Sequence, residues 1–168
     1  MPGELIRDHV FVRDPKEGNQ IYNRGYYGEP LSGGGLRLQL VESVFLVEEE
    51  RLTVTCDGRE MGIDALIEYA NSLQPEFEIN YMAYRDLRKR GYVVRSGPIG
   101  FKTYPRGGGP GKAPSTCWVR PLSERAGLQI ATLLNQLKDA ENTRKSLMVA
   151  IVDEEGDVTY YAIGGWGK

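Results

Sequence analysis

Apolar positions recur at helical spacing over residues 38–49, where Leu38, Val41, Val44 and Phe45 share one face and the acids lie outside it. Residues 52–56 alternate as a strand does, and Asp57-Gly58 closes a turn. A second helix follows over 63–73, with Ile63, Leu66, Ile67 and Ala70 as its buried stripe. Ahead of these, Gly25, Gly28 and the triplet at 33–35 stand among Tyr22, Tyr26 and Tyr27, so the first 35 residues read as short strands and turns. Gln74-Pro75 breaks the pattern. After it Phe77, Tyr81, Tyr84 and Leu87 trace one helical face that ends at Gly91, a residue suited to the left-handed position past a helix.

Beyond that helix the period shortens, and 92–95, 101–104 and 116–120 read as strands. A helix beginning at Ser123 carries Ile130, Leu134 and Leu137 on its apolar face. The apolar run 146–152 fits a central strand buried on both faces, and a turn at 153–157 leads to a last strand at 158–163. The expectation is an α/β chain: an α+β domain over 1–80, then a domain over 81–168 with a mixed sheet flanked by helices.

The 168 residues, 40% hydrophobic and 26% charged, suit one ordinary domain or two small ones. The longest apolar runs are far shorter than the roughly 20 residues that span a bilayer. No membrane association is expected, and the charges and proline of residues 1–8 predict a cytoplasmic protein. Cys56 and Cys117 are too few for a disulfide scaffold, and whether they pair is open. There is no CxxC spacing for zinc, and His9 is the only histidine, so mechanisms needing two imidazoles or a HExxH metal motif fail within one chain. Neither a metal nor a cofactor is expected.

Charge changes the picture more. Residues 42–78 hold ten acids against Arg51 and Arg59, whereas residues 85–120 hold nine Lys or Arg against Asp86 alone. Tyr92, Phe101, Tyr104 and Trp118 are interleaved with the cations. Cations neutralise phosphates and ring faces accept stacked bases, so this half suits RNA; an acidic protein surface is the other fitting partner. The run Arg106-Gly107-Gly108-Gly109-Pro110-Gly111-Lys112 lacks the GxxxxGK[ST] spacing and leads to a strand, so it reads as a connection and not as a phosphate loop.

Several segments together carry a resemblance. Residues 84–94 (YRDLRKRGYVV), 101–107 (FKTYPRG), 144–147 (RKSL) running into 150–153 (AIVD), and 156–161 (GDVTYY) resemble, in order and spacing, the nuclease domain of the archaeal tRNA-splicing endonucleases. Tyr27-Gly28 and 38–46 (LQLVESVFL) resemble that family's N-terminal domain. The resemblance implies cleavage of precursor tRNA at bulge-helix-bulge splice sites, without a metal ion, to 2′,3′-cyclic phosphate and 5′-hydroxyl ends. It gives Tyr104 the role of removing the 2′-hydroxyl proton and Lys145 that of stabilising the charged transition state. Lys102 and Arg106 are candidates to favour the Tyr104 phenolate.

The family's third group, a histidine that protonates the leaving oxygen, should fall at 113–115, where Ala113, Pro114 and Ser115 stand, so the position centred on Ser115 is vacant. The resemblance then leaves three readings: a structural, RNA-binding subunit of a mixed assembly, an enzyme whose acid comes from elsewhere, or a chain whose histidine has been substituted, with Ala113 the most suspect position. Lys102, Arg106, Lys112, Arg144 and Trp166 are the RNA-contact candidates. The resemblance also implies association, as a homo-oligomer (dimer or tetramer) or a heterotetramer with a second subunit. Asp153, Glu154, Glu155, Asp157 and Tyr160 are the expected interface residues.

Overall fold

The computed structural model describes residues 1–165, and these fall into two compact units, Met1–Glu78 and the described residues from Ile79 onward. In the first unit six strands form one sheet: β1 (Pro2–Ile6), β2 (His9–Val12), β3 (Glu29–Pro30), β4 (Leu36–Gln39), β5 (Thr53–Cys56) and β6 (Arg59–Met61). They lie in the order β3-β4-β2-β1-β5-β6, antiparallel except for the parallel pair β1 and β5. Helices α1 (Pro15–Asn23), α2 (Leu40–Glu48) and α3 (Ile63–Leu73) complete the unit.

α1 stands where turns are expected from the glycines. Asp14 caps it, its carboxylate accepting from the Lys16 amide at 2.8 Å, and Pro15 opens the first turn with a preset φ. α2 starts later than its periodicity predicts. Leu36 and Leu38 pair with Val12 and Val10 on β2 and are fully buried there, so the residues before 40 are claimed by the sheet. Residues 40–46 of α2 are all buried, Glu42 included. Its carboxylate accepts from the Gly28 amide at 2.7 Å and the Gln39 amide at 3.0 Å, which offsets the cost of placing a polar group there. His9, on β2, meets the Asp8 carboxylate at 2.9 Å.

The second unit is a five-stranded mixed sheet in the order β11-β10-β9-β8-β7, with β7 (Val93–Gly97), β8 (Gly100–Tyr104), β9 (Cys117–Ser123), β10 (Ser146–Val152) and β11 (Val158–Ile163). β9 and β10 are parallel; every other pair is antiparallel. Helices α4 (Phe77–Lys89) and α5 (Ile130–Asn142) accompany it. Gly91, at φ +93°, follows α4, and the Tyr92 amide returns to the Leu87 carbonyl at 3.2 Å. The helix expected from Ser123 begins at Ile130, because parallel pairing with β10 holds β9 extended through Ser123. The paired register of β8 reaches β9 only at 117–119, so Pro121 lies where its missing amide costs no ladder bond on that side. The buried stripe of α5 is also rotated from the expected one. Leu133, Leu137 and Ala140 pack on Trp118 and Leu147, while Ile130 is 68% and Leu134 56% exposed.

Cys56 and Cys117 are both free thiols. Among the described residues no helix is long and apolar enough to cross a membrane.

Candidate active site

Tyr104 ends β8 and is buried, at 7% exposure, whereas Lys145 is half-buried just before β10. Register decides which way they face, since residues paired across a sheet point to the same side and neighbours along a strand alternate. Lys102, Trp118, Leu147 and Ile163 form one cross-strand row, and Trp118 and Leu147 pack beneath α5. Tyr104 lies two residues beyond Lys102, and Lys145 two residues before Leu147, so both belong to that α5 side. The ladder continues past the strand ends, where the Thr116 amide donates to the Thr103 carbonyl at 2.9 Å and the Ser146 amide to the Thr116 carbonyl at 3.0 Å. Tyr104 and Lys145 thus flank residue 116 at one end of the sheet, two strand spacings or about 10 Å apart along the backbone. A phenol and an ammonium set so can reach one phosphate between them.

Ser115 is drawn into the same place. Its backbone carbonyl accepts a hydrogen bond from Lys145 Nζ, while Ala113 before it is half-buried with its amide on the Gly109 carbonyl at 3.2 Å. Lys102 is half-buried on the Tyr104 side of β8. Arg106 goes elsewhere: its guanidinium sits 5.3 Å from the centroid of the Tyr92 ring. Lys112 and Arg144 are exposed, and Arg144 has a left-handed backbone, φ +60°, in the tight turn from α5 into β10. Trp166 lies outside the described residues.

The acidic turn is a built feature. Asp153 Oδ1 accepts from the Glu155 and Asp157 amides, both at 2.9 Å, and Gly156 takes φ +85°. Glu154 pairs with Arg125, and Glu155 is exposed. Tyr160, on β11, faces α4: its hydroxyl donates to Asp86 Oδ2 at 2.6 Å and Arg90 lies 5.2 Å from its ring centroid. Burial, and the Asp86 carboxylate its hydroxyl donates to, push its phenol well above the ordinary range.

Sequence reasoning did not find the cavity on that side of the sheet. A cleft of about 440 Å³ is lined by Leu87 of α4 and Arg90 just past its end, by Tyr92 and Arg106, and by Met148 and Tyr160 on the strands. The signal was present as interleaved cations and rings, but which sheet face each took depended on register.

Comparison with known proteins agrees over nearly the whole chain. Residues 77–160 match the model of the tRNA intron endonuclease catalytic C-terminal domain, and residues 1–67 that of the tRNA intron endonuclease N-terminal domain. The chain is 42% identical over 163 residues to the tRNA-splicing endonuclease of Methanococcoides burtonii, covering 97% of this chain and 46% of that protein. It is 36% identical to that of Thermococcus onnurineus, covering 95% of this chain and 93% of the relative, and 35% identical to that of Pyrococcus horikoshii, covering 95% and 92%. The chain spans less than half the length of the Methanococcoides and Methanosarcina proteins it matches. By both domain matches, in chain order, and by its identity to relatives of its own length, the chain belongs to the tRNA intron endonuclease family.

Proposed function

We propose that the chain is a cytoplasmic subunit of a tRNA-splicing endonuclease that cleaves bulge-helix-bulge precursor tRNA without a metal ion. The observation that carries this reading is the placement of Tyr104 and Lys145 on one side of the sheet at one end of it. Tyr104 takes the proton from the 2′-hydroxyl, the 2′-oxygen forms a bond to phosphorus, and the bond from phosphorus to the 5′-oxygen breaks. The products are a 2′,3′-cyclic phosphate and a 5′-hydroxyl. Lys145 offers a fixed positive charge to the phosphate oxygens as their charge grows in the transition state. Residues 113–115 contain no group that donates a proton at neutral pH, so water or another chain supplies the proton of the leaving oxygen. Lys102, Lys112, Arg144 and Arg106 hold the RNA, and the 153–157 turn with β11 serves assembly into a homo-oligomer or a heterotetramer.

A second reading, a non-catalytic RNA-binding subunit, is favoured by the vacancy at Ser115 and by the bond that Lys145 makes to its carbonyl. Cleavage of a bulge-helix-bulge precursor in EDTA by the purified chain, alone and mixed with a second subunit, separates the two. Activity of the chain alone supports the first reading, activity only in the mixture selects the second, and a strict metal requirement defeats both as stated.

A further inference from the structure

In the first unit a cleft of about 230 Å³ opens between the last turn of α1 and the turn that follows α2, lined by Met1, Gln20, Ile21, Arg24, Glu50 and Arg51. Arg24 is exposed and Arg51 half-buried. The Arg51 guanidinium lies 5.1 Å from the centroid of the Tyr27 ring, which is itself buried and stacked on Phe45 at 6.2 Å. Ring attraction holds the cation in place but satisfies none of the donors in its plane.

Arg51 Nη2 is buried without a hydrogen-bond partner, and among the described residues neither Arg51 nor Arg24 forms an ion pair. A half-buried charge is ordinarily paired, so the missing partner calls for a reason. Capping of the helices is not one. The Ile21 carbonyl accepts from the Arg24 amide at 3.3 Å and the Tyr22 carbonyl from the Tyr26 amide at 2.7 Å. After α2 the Leu46 carbonyl accepts from the Arg51 amide at 2.8 Å and the Val47 carbonyl from the Glu50 amide at 3.0 Å. The backbone thus closes both helix ends without the guanidiniums.

What the cleft offers is donors from two arginines and the Gln20 amide, which come from three places in the chain. Such a set fits the tetrahedral oxygens of a phosphate, whereas the two coplanar oxygens of a carboxylate are matched by one guanidinium. Two guanidiniums against the Glu50 carboxylate leave one positive charge, equal and opposite to that of a phosphodiester.

We infer that this cleft binds one backbone phosphodiester of RNA, between Arg24 and Arg51. The RNA source rests on the function proposed above; the charge and donors of the cleft do not. The contact gives the first unit a part in holding substrate.

The test is binding of a bulge-helix-bulge precursor to the full chain across a series of KCl concentrations. Losing one phosphate contact in the double variant Arg24→Gln, Arg51→Gln should weaken binding about threefold or more and make the slope of log affinity against log salt shallower by about 0.7–0.9. Glu50→Gln should tighten binding about twofold, a gain that no loss of folding can produce. Arg59→Gln, a cation of the same unit on β6 and outside the cleft, should move the slope by less than about 0.3. An unchanged slope in the double variant, an equal change in Arg59→Gln, or no gain in Glu50→Gln would overturn the inference. Arginine Nε NMR signals of the full chain, titrated with dimethyl phosphate, inorganic phosphate and acetate, identify the ligand chemistry. Dimethyl phosphate should shift Arg24 and Arg51 saturably. Acetate binding as tightly would overturn the phosphate assignment, and inorganic phosphate binding more tightly than the precursor would overturn the RNA assignment in favour of a free phosphate. Binding is read without cleavage, so a cleaving chain whose double variant keeps its salt slope defeats this inference alone. A chain that shows these slopes and shifts but does not cleave defeats the catalytic reading alone.

Discussion

Lys145 Nζ donates a hydrogen bond to the backbone carbonyl of Ser115, tying the residue that enters β10 to the loop that enters β9. An ammonium has three donors, so one spent on a carbonyl orients the group and leaves two for a phosphate. A side chain on four flexible carbons is thereby held at the end of the sheet where Tyr104 stands.

From that arrangement, Lys145→Met should slow single-turnover cleavage by about 10²–10³-fold, the scale of losing one fixed transition-state contact, with RNA affinity within about threefold. Rates and affinities measured on the same precursor check this. A loss in affinity that accounts for the whole effect would make Lys145 a binding residue only.

The vacancy at 113–115 gives a second prediction. Introducing histidine by Ala113→His, Pro114→His and Ser115→His in turn should raise cleavage at one position by about 10²–10⁴-fold, the usual worth of a general acid. The gain should fade as pH rises through the imidazole range, because only the protonated ring donates. No gain at any of the three would favour the structural-subunit reading.

The family, the α/β class and most elements were legible in the sequence because they rest on local pattern. α3 and β11 fall at 63–73 and 158–163, as their periodicity predicts. α1 was hidden because, beside Gly18, only Ile21 of its nine residues is buried, although Asp14-Pro15 is a helix-start signal. The limits of α2 and α5 were set by strand pairing at Leu38 and Ser123, which no local window contains. The destination of Arg106, on Tyr92 and not beside Tyr104, likewise follows from the fold of a glycine-rich loop and not from spacing.

In the first unit, Glu42→Ala should be among the costlier substitutions. It removes the acceptor for the Gly28 and Gln39 amides inside a buried helix, and a loss of about 2–4 kcal/mol is expected. Urea unfolding against the parent chain measures it; a change below about 0.5 kcal/mol would show that water replaces the carboxylate.

The Cys117 thiol is pushed up to about 11 by burial. At pH 8 only about one part in a thousand is thiolate, so alkylation at 117 should rise about tenfold per pH unit and level off only near pH 11. The folded value is raised above the ordinary 9.0, so the proton is held more tightly in the native state. Its contribution to stability is complete below about pH 9 and is lost as pH rises to about 11. Peptide-resolved alkylation across pH 7–11 tests this, and a plateau near pH 8.5 would contradict it.

The most direct measurement of the account's central claim, that Tyr104 and Lys145 act on one phosphate through the neighbouring 2′-hydroxyl, is cleavage in EDTA of a precursor carrying a single 2′-deoxynucleotide at the splice site. The account predicts 2′,3′-cyclic phosphate and 5′-hydroxyl ends from the all-ribose precursor, no cut at the deoxy position, and loss of cutting in Tyr104→Phe. Cleavage at the deoxy position, or 3′-hydroxyl ends from the all-ribose RNA, would contradict it.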